Sequence, residues 1–248
     1  VSGFGDEGGV TAAELVTVAR SHTPHGEVAL RRRGEVLELV VGGVFAMDTV
    51  DVSTEVELAQ AALADHTDPS RVLVGGLGLG FTARTVLADD RVERLDVVEL
   101  AAPLVQWARA GVVPELADLE ADGRCRLYAA DVADVLTGTS PVPSQPWDLI
   151  LLDVDNGPGF LVHAHNAGLY APTGLHAAYG ALAPGGRLVI WSSHEAPDLA
   201  ADQRALATRH DGATAGEQVI TIHREGRRFD YALYSLTAPA AAPTPGRA

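Results

Sequence analysis

Between Arg71 and Ser193 the chain alternates between two rhythms. Continuous apolar runs, RVLVGG, RLDVVEL, CRLYAAD, WDLILLDVD and GRLVIWSS, are separated by stretches with helical spacing around FTARTVLA, AAPLVQWARA, DVADVLT and TGLHAAYGALAP. Strands apolar on both faces, alternating with amphipathic helices, predict a doubly wound, mostly parallel α/β sheet. Closer to the C-terminus, EQVITIHREGRRFDYALYSL holds two alternating runs about a short loop, which predicts an antiparallel β-hairpin. A plain dinucleotide-binding domain lacks that ending.

Upstream, EVALRRRGEVLELVVGGVFAMDT gives two extended runs divided by RRRG and a third after Gly42-Gly43, a small antiparallel β unit. Arg31, Arg32 and Arg33 read as solvated residues of an edge strand, since alternation sends neighbours to opposite faces. STEVELAQAALADH comes next, with helical spacing. Thr54 and Glu57 have the capping-box separation, which sets a helix start near Thr54. The ends, VSGFGDEGG and TAPAAAPTPGRA, are rich in Gly or Pro and Ala and read as disordered. The predicted division is a disordered segment over 1–10, a β unit over 11–53, a ligand-binding domain over 54–236 and a disordered tail over 237–248.

Composition narrows the ligand. Of 248 residues, 47% are hydrophobic and 21% charged, enough for a sizeable core. A formal net charge of -15 repels nucleic acid phosphates and anionic membranes, and favours neutral or cationic ligands. No apolar run is long enough to span a bilayer and no basic-then-apolar leader is seen, so a cytoplasmic location is expected. The single cysteine, Cys125, sits in the alternating stretch GRCRLYAAD and reads as a small core residue, not a nucleophile.

The first strand ends in glycines at Gly75, Gly76, Gly78 and Gly80. In doubly wound sheets ligands bind beyond the carboxyl ends of the strands, and glycines there let backbone approach them. Glu99 ends the next strand, where an acid accepts hydrogen bonds from ribose hydroxyls. A nucleoside-bearing ligand is therefore expected. The G-x-G-x-G spacing fits S-adenosylmethionine, while Gly78 to Ala83 also fits the G-x-G-x-x-A of nicotinamide cofactors. The closing hairpin, Asp131 placed to accept from an adenine amino group, and the acidic strand end LLDVDN favour S-adenosylmethionine.

Taken in order, these residues resemble the spermidine synthase family of polyamine aminopropyltransferases, over residues 27 to 236. VLVGGLGLGFTARTVLADDRVERLDVVEL is similar to that family's glycine loop, helix and ribose-binding Glu. WDLILLDVDNGPG is similar to its active-site strand and loop, and LYAPTGLHAAYGALAPGGRLVIW to its next helix and Pro-Gly-Gly strand. The resemblance implies a Rossmann-like fold of the class I methyltransferase type. Its sheet is mostly parallel and seven-stranded with a C-terminal antiparallel hairpin, joined to a small N-terminal antiparallel β unit. It also implies a homodimer.

Three departures bear on function. The family's G-G-G-D-G-G loop places an Asp where this chain has Gly78. Its D-S-S-D stretch becomes Asp153-Val154-Asp155-Asn156, neutral at the fourth position. Its Tyr-Gln pair on the N-terminal helix is replaced near Leu58-Ala59. An Asp in place of Gly78 would repel a donor carboxylate, so ordinary S-adenosylmethionine and methyl transfer to a small neutral or cationic acceptor are favoured. Aminopropyl transfer from decarboxylated S-adenosylmethionine to a polyamine is the alternative, and a non-catalytic nucleoside-binding protein a further one. Asp153, with Asp155 beside it, is the expected base for an acceptor amine. Asn156, His163, His165, Asn166 and Tyr170 are the expected acceptor contacts. His163 and His165 lack an acid or Cys at ligand spacing, so no metal is expected.

Overall fold

The computed structural model describes residues 13–142, 146–224 and 227–241. The disorder expected over 1–10, the end of the tail from 242 and the tip of the C-terminal hairpin lie outside the described residues. Strands β1 (Leu15–Thr23), β2 (Gly26–Arg33), β3 (Val36–Val41) and β4 (Val44–Asp48) form an antiparallel sheet in that order. β1 was not predicted: it is an edge strand with little burial, so nothing enforces a clean alternation along LVTVARSHT.

β1 also corrects the reading of the arginines. It takes the edge and leaves β2 interior, hydrogen-bonded on both sides. Arg31 and Arg33, two apart and so on one face, both reach Glu38 of β3, at 3.2 Å and 3.5 Å.

Helix α1 (Ser53–Ala64) begins one residue before Thr54, but not through a capping box. Val52 holds the N-cap position without a side-chain bond, and Glu57 is exposed. The Asp51 carboxylate accepts from the Ser53 backbone and hydroxyl instead, and the Thr54 hydroxyl donates to Glu55.

Beyond α1 come β5 (Arg71–Gly75), α2 (Phe81–Leu87), β6 (Arg94–Glu99), α3 (Ala102–Arg109), α4 (Pro114–Ala121), β7 (Cys125–Ala129) and α5 (Val132–Thr137). Then come β8 (Trp147–Leu152), α6 (Ala167–Tyr170), α7 (Pro172–Gly180), β9 (Leu182–Ser192), α8 (Pro197–Ala207), β10 (Thr214–Arg224) and β11 (Arg227–Thr237). The strands pair as β10-β11-β9-β8-β5-β6-β7, with β11 antiparallel to both its neighbours and the rest parallel. This is the Rossmann-like methyltransferase fold, with the N-terminal sheet added to it. α8 escaped the sequence reading because its buried face holds only two large apolar residues, Leu199 and Leu206, among Ala200, Gln203 and Ala207.

The sheet divides the core by strand alternation. On β5, Val72 and Val74 face α1, α2 and the N-terminal sheet, packing with Leu30, Leu37, Leu58 and Val86. Leu73 faces the other side, with Trp147, Ile150, Leu175 and Tyr234. Cys125 is buried, and that burial pushes its thiol up to about 12, which leaves it inert.

Gly76 carries the sharpest steric demand. It has φ +96°, and a Cβ there would overlap the Asp153 carbonyl oxygen. Gly76→Ala is expected to destabilise the protein by about 3 kcal/mol or more in urea unfolding. Gly111→Ala, also at positive φ but with open space around it, should cost only about 1 kcal/mol. Equal losses would show that backbone strain, not the crossing with Asp153, makes position 76 a glycine.

Candidate active site

β5 and β8 lie side by side at the point where the strand order reverses, and both deliver their next residues into one cavity. The Asp153 amide donates to the Gly75 carbonyl at 2.9 Å, and the Gly76 amide to Val98 at 2.8 Å. These two bonds align the ends of three strands, β6, β5 and β8.

Of the four loop glycines, Gly76 and Gly78 line the cavity. Gly75 and Gly80 answer to protein neighbours. A side chain on Gly75 would press on Val132 and Leu152, and one on Gly80 on Leu116 and Leu119 of α4. Gly78 also has a protein neighbour. At φ +50°, its Cβ would stand 2.7 Å from the Met47 sulfur, which lies 3.2 Å from the Leu79 amide.

Five carboxylates line the cavity: Glu55, Glu99, Asp131, Asp153 and Asp155. All 18 basic side chains of the protein other than histidine are arginine, and among the described residues none lines the cavity. Glu99 accepts from Leu77 N at 2.8 Å and Ala101 N at 2.7 Å; burial pushes its carboxyl up against the pull of these donors. Asp131 caps α5 through Ala133 N at 2.8 Å, and its other oxygen is 3.5 Å from His165 Nε2.

Asp153 accepts from the Thr82 hydroxyl at 2.7 Å. Its carboxyl is raised to about 7, by burial first and then by the charge of Glu55. Asp155 is turned inward because the chain bends over residues 154–156 instead of continuing extended. It accepts from Val162 N at 2.7 Å and from the Tyr170 hydroxyl at 3.2 Å. Burial, then the Asp155 charge, drives the Tyr170 phenol upward, so it stays a donor.

Asn156, His163 and Asn166 line the cavity; His165 and Tyr170 stand behind it, against Asp131 and Asp155. His163 belongs to a cluster with His165 and with His25 of the β1–β2 turn, ring centroids 5.4 to 5.8 Å apart. Burial and those two neighbours hold the His163 imidazole below its ordinary range.

Leu58 and Ala59, near which the family's Tyr-Gln pair is replaced, are core residues. Thr54 and Glu55 are the α1 residues that reach the cavity. The sequence shows Thr54 only as a helix start and gives no sign of Glu55, Met47, Thr82 or His25 at the site, because a Glu in the first helical turn looks like an ordinary solvated residue. Leu39, Val41, Ala46 and Phe81 complete an apolar wall, and Trp191 also lines the cavity.

No family model matches the chain. Polyamine aminopropyltransferase of Mycobacterium tuberculosis is 29% identical over 233 residues, 92% of this chain and 42% of that protein. Polyamine aminopropyltransferase 2 of Pseudomonas aeruginosa is 30% identical over 139 residues, 54% of this chain and 36% of that one. A spermidine synthase solved with the transition-state analogue AdoDATO has a TM-score of 0.70 at 18% identity, covering 91% of this chain and 75% of its own. The chain is thus similar in sequence to polyamine aminopropyltransferases and shares the fold of spermidine synthases. The Thermotoga maritima spermidine synthase gives 0.69 at 17% identity, with 91% and 74% covered. The chain spans about two fifths of the mycobacterial relative's length.

These relatives overturn the expectation of methyl transfer, since the enzymes they name transfer aminopropyl groups. The reason is physical. Gly78 is a glycine beside the Met47 sulfur, so the missing acid there carries no information about a donor carboxylate.

Folded Asp153 keeps its proton up to about pH 7, while an unfolded Asp loses it near 3.8. Native protein thus binds the extra proton between those values, and stability falls as pH rises through them. Asp153→Asn is expected to stabilise the fold by about 1–2 kcal/mol at pH 8, with the gain vanishing near pH 4. Parallel urea curves at the two pH values measure it, and a gain independent of pH would mean that Asp153 ionises normally.

Proposed function

We propose that this chain transfers an aminopropyl group from decarboxylated S-adenosylmethionine to a polyamine-type acceptor. The observation that carries the reading is a cavity at the glycine loop with five acidic side chains and, among the described residues, no arginine, which suits a ligand pair that is cationic at both partners. In this reading Gly76 and Gly78 admit the nucleoside, Glu99 holds its ribose hydroxyls, and Asp131 accepts from the adenine amino group. Gly75 and Gly80 shape the loop from behind.

Asp153 is the general base. An acceptor ammonium must lose a proton before its nitrogen can attack, and a carboxyl poised near 7 takes it at neutral pH. The nitrogen lone pair then forms the new bond to carbon, the carbon–sulfur bond breaks, and sulfur leaves as an uncharged thioether. Asp155, held by Tyr170 and Val162, fixes the loop that carries Asn156, His163 and Asn166 along the acceptor, with His165 bracing it from Asp131.

The reading takes residues 54–236 as the donor-binding domain and the β unit before it as a wall of the site. It also takes the protein as cytoplasmic and, from the family resemblance, homodimeric. Among the described residues no helix is long and apolar enough to cross a membrane.

The test is turnover of the full chain with decarboxylated S-adenosylmethionine and 1,4-diaminobutane, read as release of methylthioadenosine. Turnover with kcat/KM lowered about 100-fold or more by Asp153→Asn is the expected result. The acid limb of kcat/KM in the wild type should fall near pH 7. Absence of product with any di- or polyamine, at a concentration where the donor binds, would refute the assignment.

A further inference from the structure

Helix α1 enters the cavity by its first turn, where Thr54 and Glu55 face the end of β8. Three of the five cavity acids are already engaged by the protein's own donors: Glu99 by two backbone amides, Asp131 by the α5 amide and His165, Asp155 by Val162 and Tyr170. Glu55 and Asp153 differ. Asp153 accepts from the Thr82 hydroxyl at 2.7 Å and Glu55 from the Thr54 hydroxyl at 2.6 Å with a backbone bond at Glu55 itself, all local donors of the helix starts, and neither acid forms a salt bridge among the described residues. The charge of Glu55 is the one that acts on Asp153, so a cation touching Asp153 lies in the field of both.

We propose that Glu55 is the positioning residue for the acceptor, its carboxylate holding the reacting ammonium against Asp153 from the α1 side of the cavity. The inference rests on the aminopropyl-transfer reading and adds to it a residue from a different element. Gly78 and Asn156 leave the glycine loop and the β8 loop short of two acids relative to the family resemblance. Glu55 returns one negative charge from the opposite wall. Asp48 and Asp51, just before α1, raise its carboxyl further after burial, while the Thr54 hydroxyl lowers it. An arriving cation is therefore drawn to a place where negative charge is least well compensated.

The step balances. The ammonium between the two carboxylates gives one proton to Asp153, and its nitrogen forms the bond to the propyl carbon. The carbon–sulfur bond breaks with its pair going to sulfur, which changes from sulfonium to thioether. The new secondary ammonium stays paired with Glu55 until product leaves, and Asp153 returns its proton to solvent.

The experiment compares wild type, Glu55→Gln and Glu55→Asp in the full chain with decarboxylated S-adenosylmethionine and 1,4-diaminobutane. Glu55→Gln should raise the acceptor KM about tenfold or more and leave the donor KM within about threefold. It should also move the acid limb of kcat/KM to lower pH, because Asp153 no longer feels the Glu55 charge. Glu55→Asp keeps the charge on a shorter arm and should recover part of the acceptor KM. If the Gln variant fails to fold, the shortened arm of Glu55→Asp is the test, and its acceptor KM should still rise about threefold or more over wild type with the donor KM unchanged. A donor KM that rises in place of the acceptor KM overturns the proposal, as do an unchanged acceptor KM and limb in an active variant. Wild type without turnover on any amine sinks the aminopropyl reading and this inference together, whereas turnover insensitive to Glu55 sinks only the inference.

Discussion

The site depends on one backbone crossing, Gly76 over the carbonyl of Asp153. Two parallel neighbours, β5 and β8, leave the sheet at the same level, and their exits run so close that residue 76 has no room for a Cβ. The same Gly76 places its amide on Val98, which brings the end of β6 alongside and sets Glu99 under the Leu77 amide. On the other side it keeps Asp153 within reach of Thr82 at the start of α2. Glu99 and Asp153, which both line the cavity, are thus tied to one contact.

The electrostatics of the site come from where the arginines are not. Elsewhere acids meet guanidinium groups: Asp89 with Arg91, Asp96 with Arg94, Asp122 with Arg124, and the carboxyls of Asp89 and Asp122 are held below their ordinary range by those bonds. In the cavity, among the described residues, the acids are met by backbone amides, hydroxyls and one imidazole. Neutral donors stabilise an ionised carboxylate less than a guanidinium does, so burial prevails and Glu55, Glu99 and Asp153 are pushed upward. On the aminopropyl-transfer proposal, a cation entering the cavity would reverse that balance.

What was legible in the sequence was what burial enforces on both faces. The runs of β5, β6, β8 and β9 read as strands because each lies inside the sheet under helices, and Glu99 and Asp153, read from their places at strand ends, both line the cavity. Elements with one thin contact left no such trace: β1 is an edge strand, and α8 buries more alanine than leucine. The capping-box spacing of Thr54 and Glu57 was present without the motif, since Asp51 took over the turn. Gly78 misled because a glycine shows that space is lacking, not what fills it. The sulfur of Met47 fills it here, from a strand about thirty residues upstream.

Glu55 shows the same limit from the other side. Along STEVELAQAALADH, an acid in the first helical turn needs no explanation beyond the helix dipole. Its meaning arises only when the N-terminal sheet closes over α1 and α2, setting Leu39, Val41, Ala46 and Met47 around the mouth and turning that first turn inward. The wall they form is apolar, so it offers no competing partner for Glu55 and lowers the local dielectric. The N-terminal sheet and the first turn of α1 thus line one cavity, and burial there is the main cause that raises the Glu55 carboxyl.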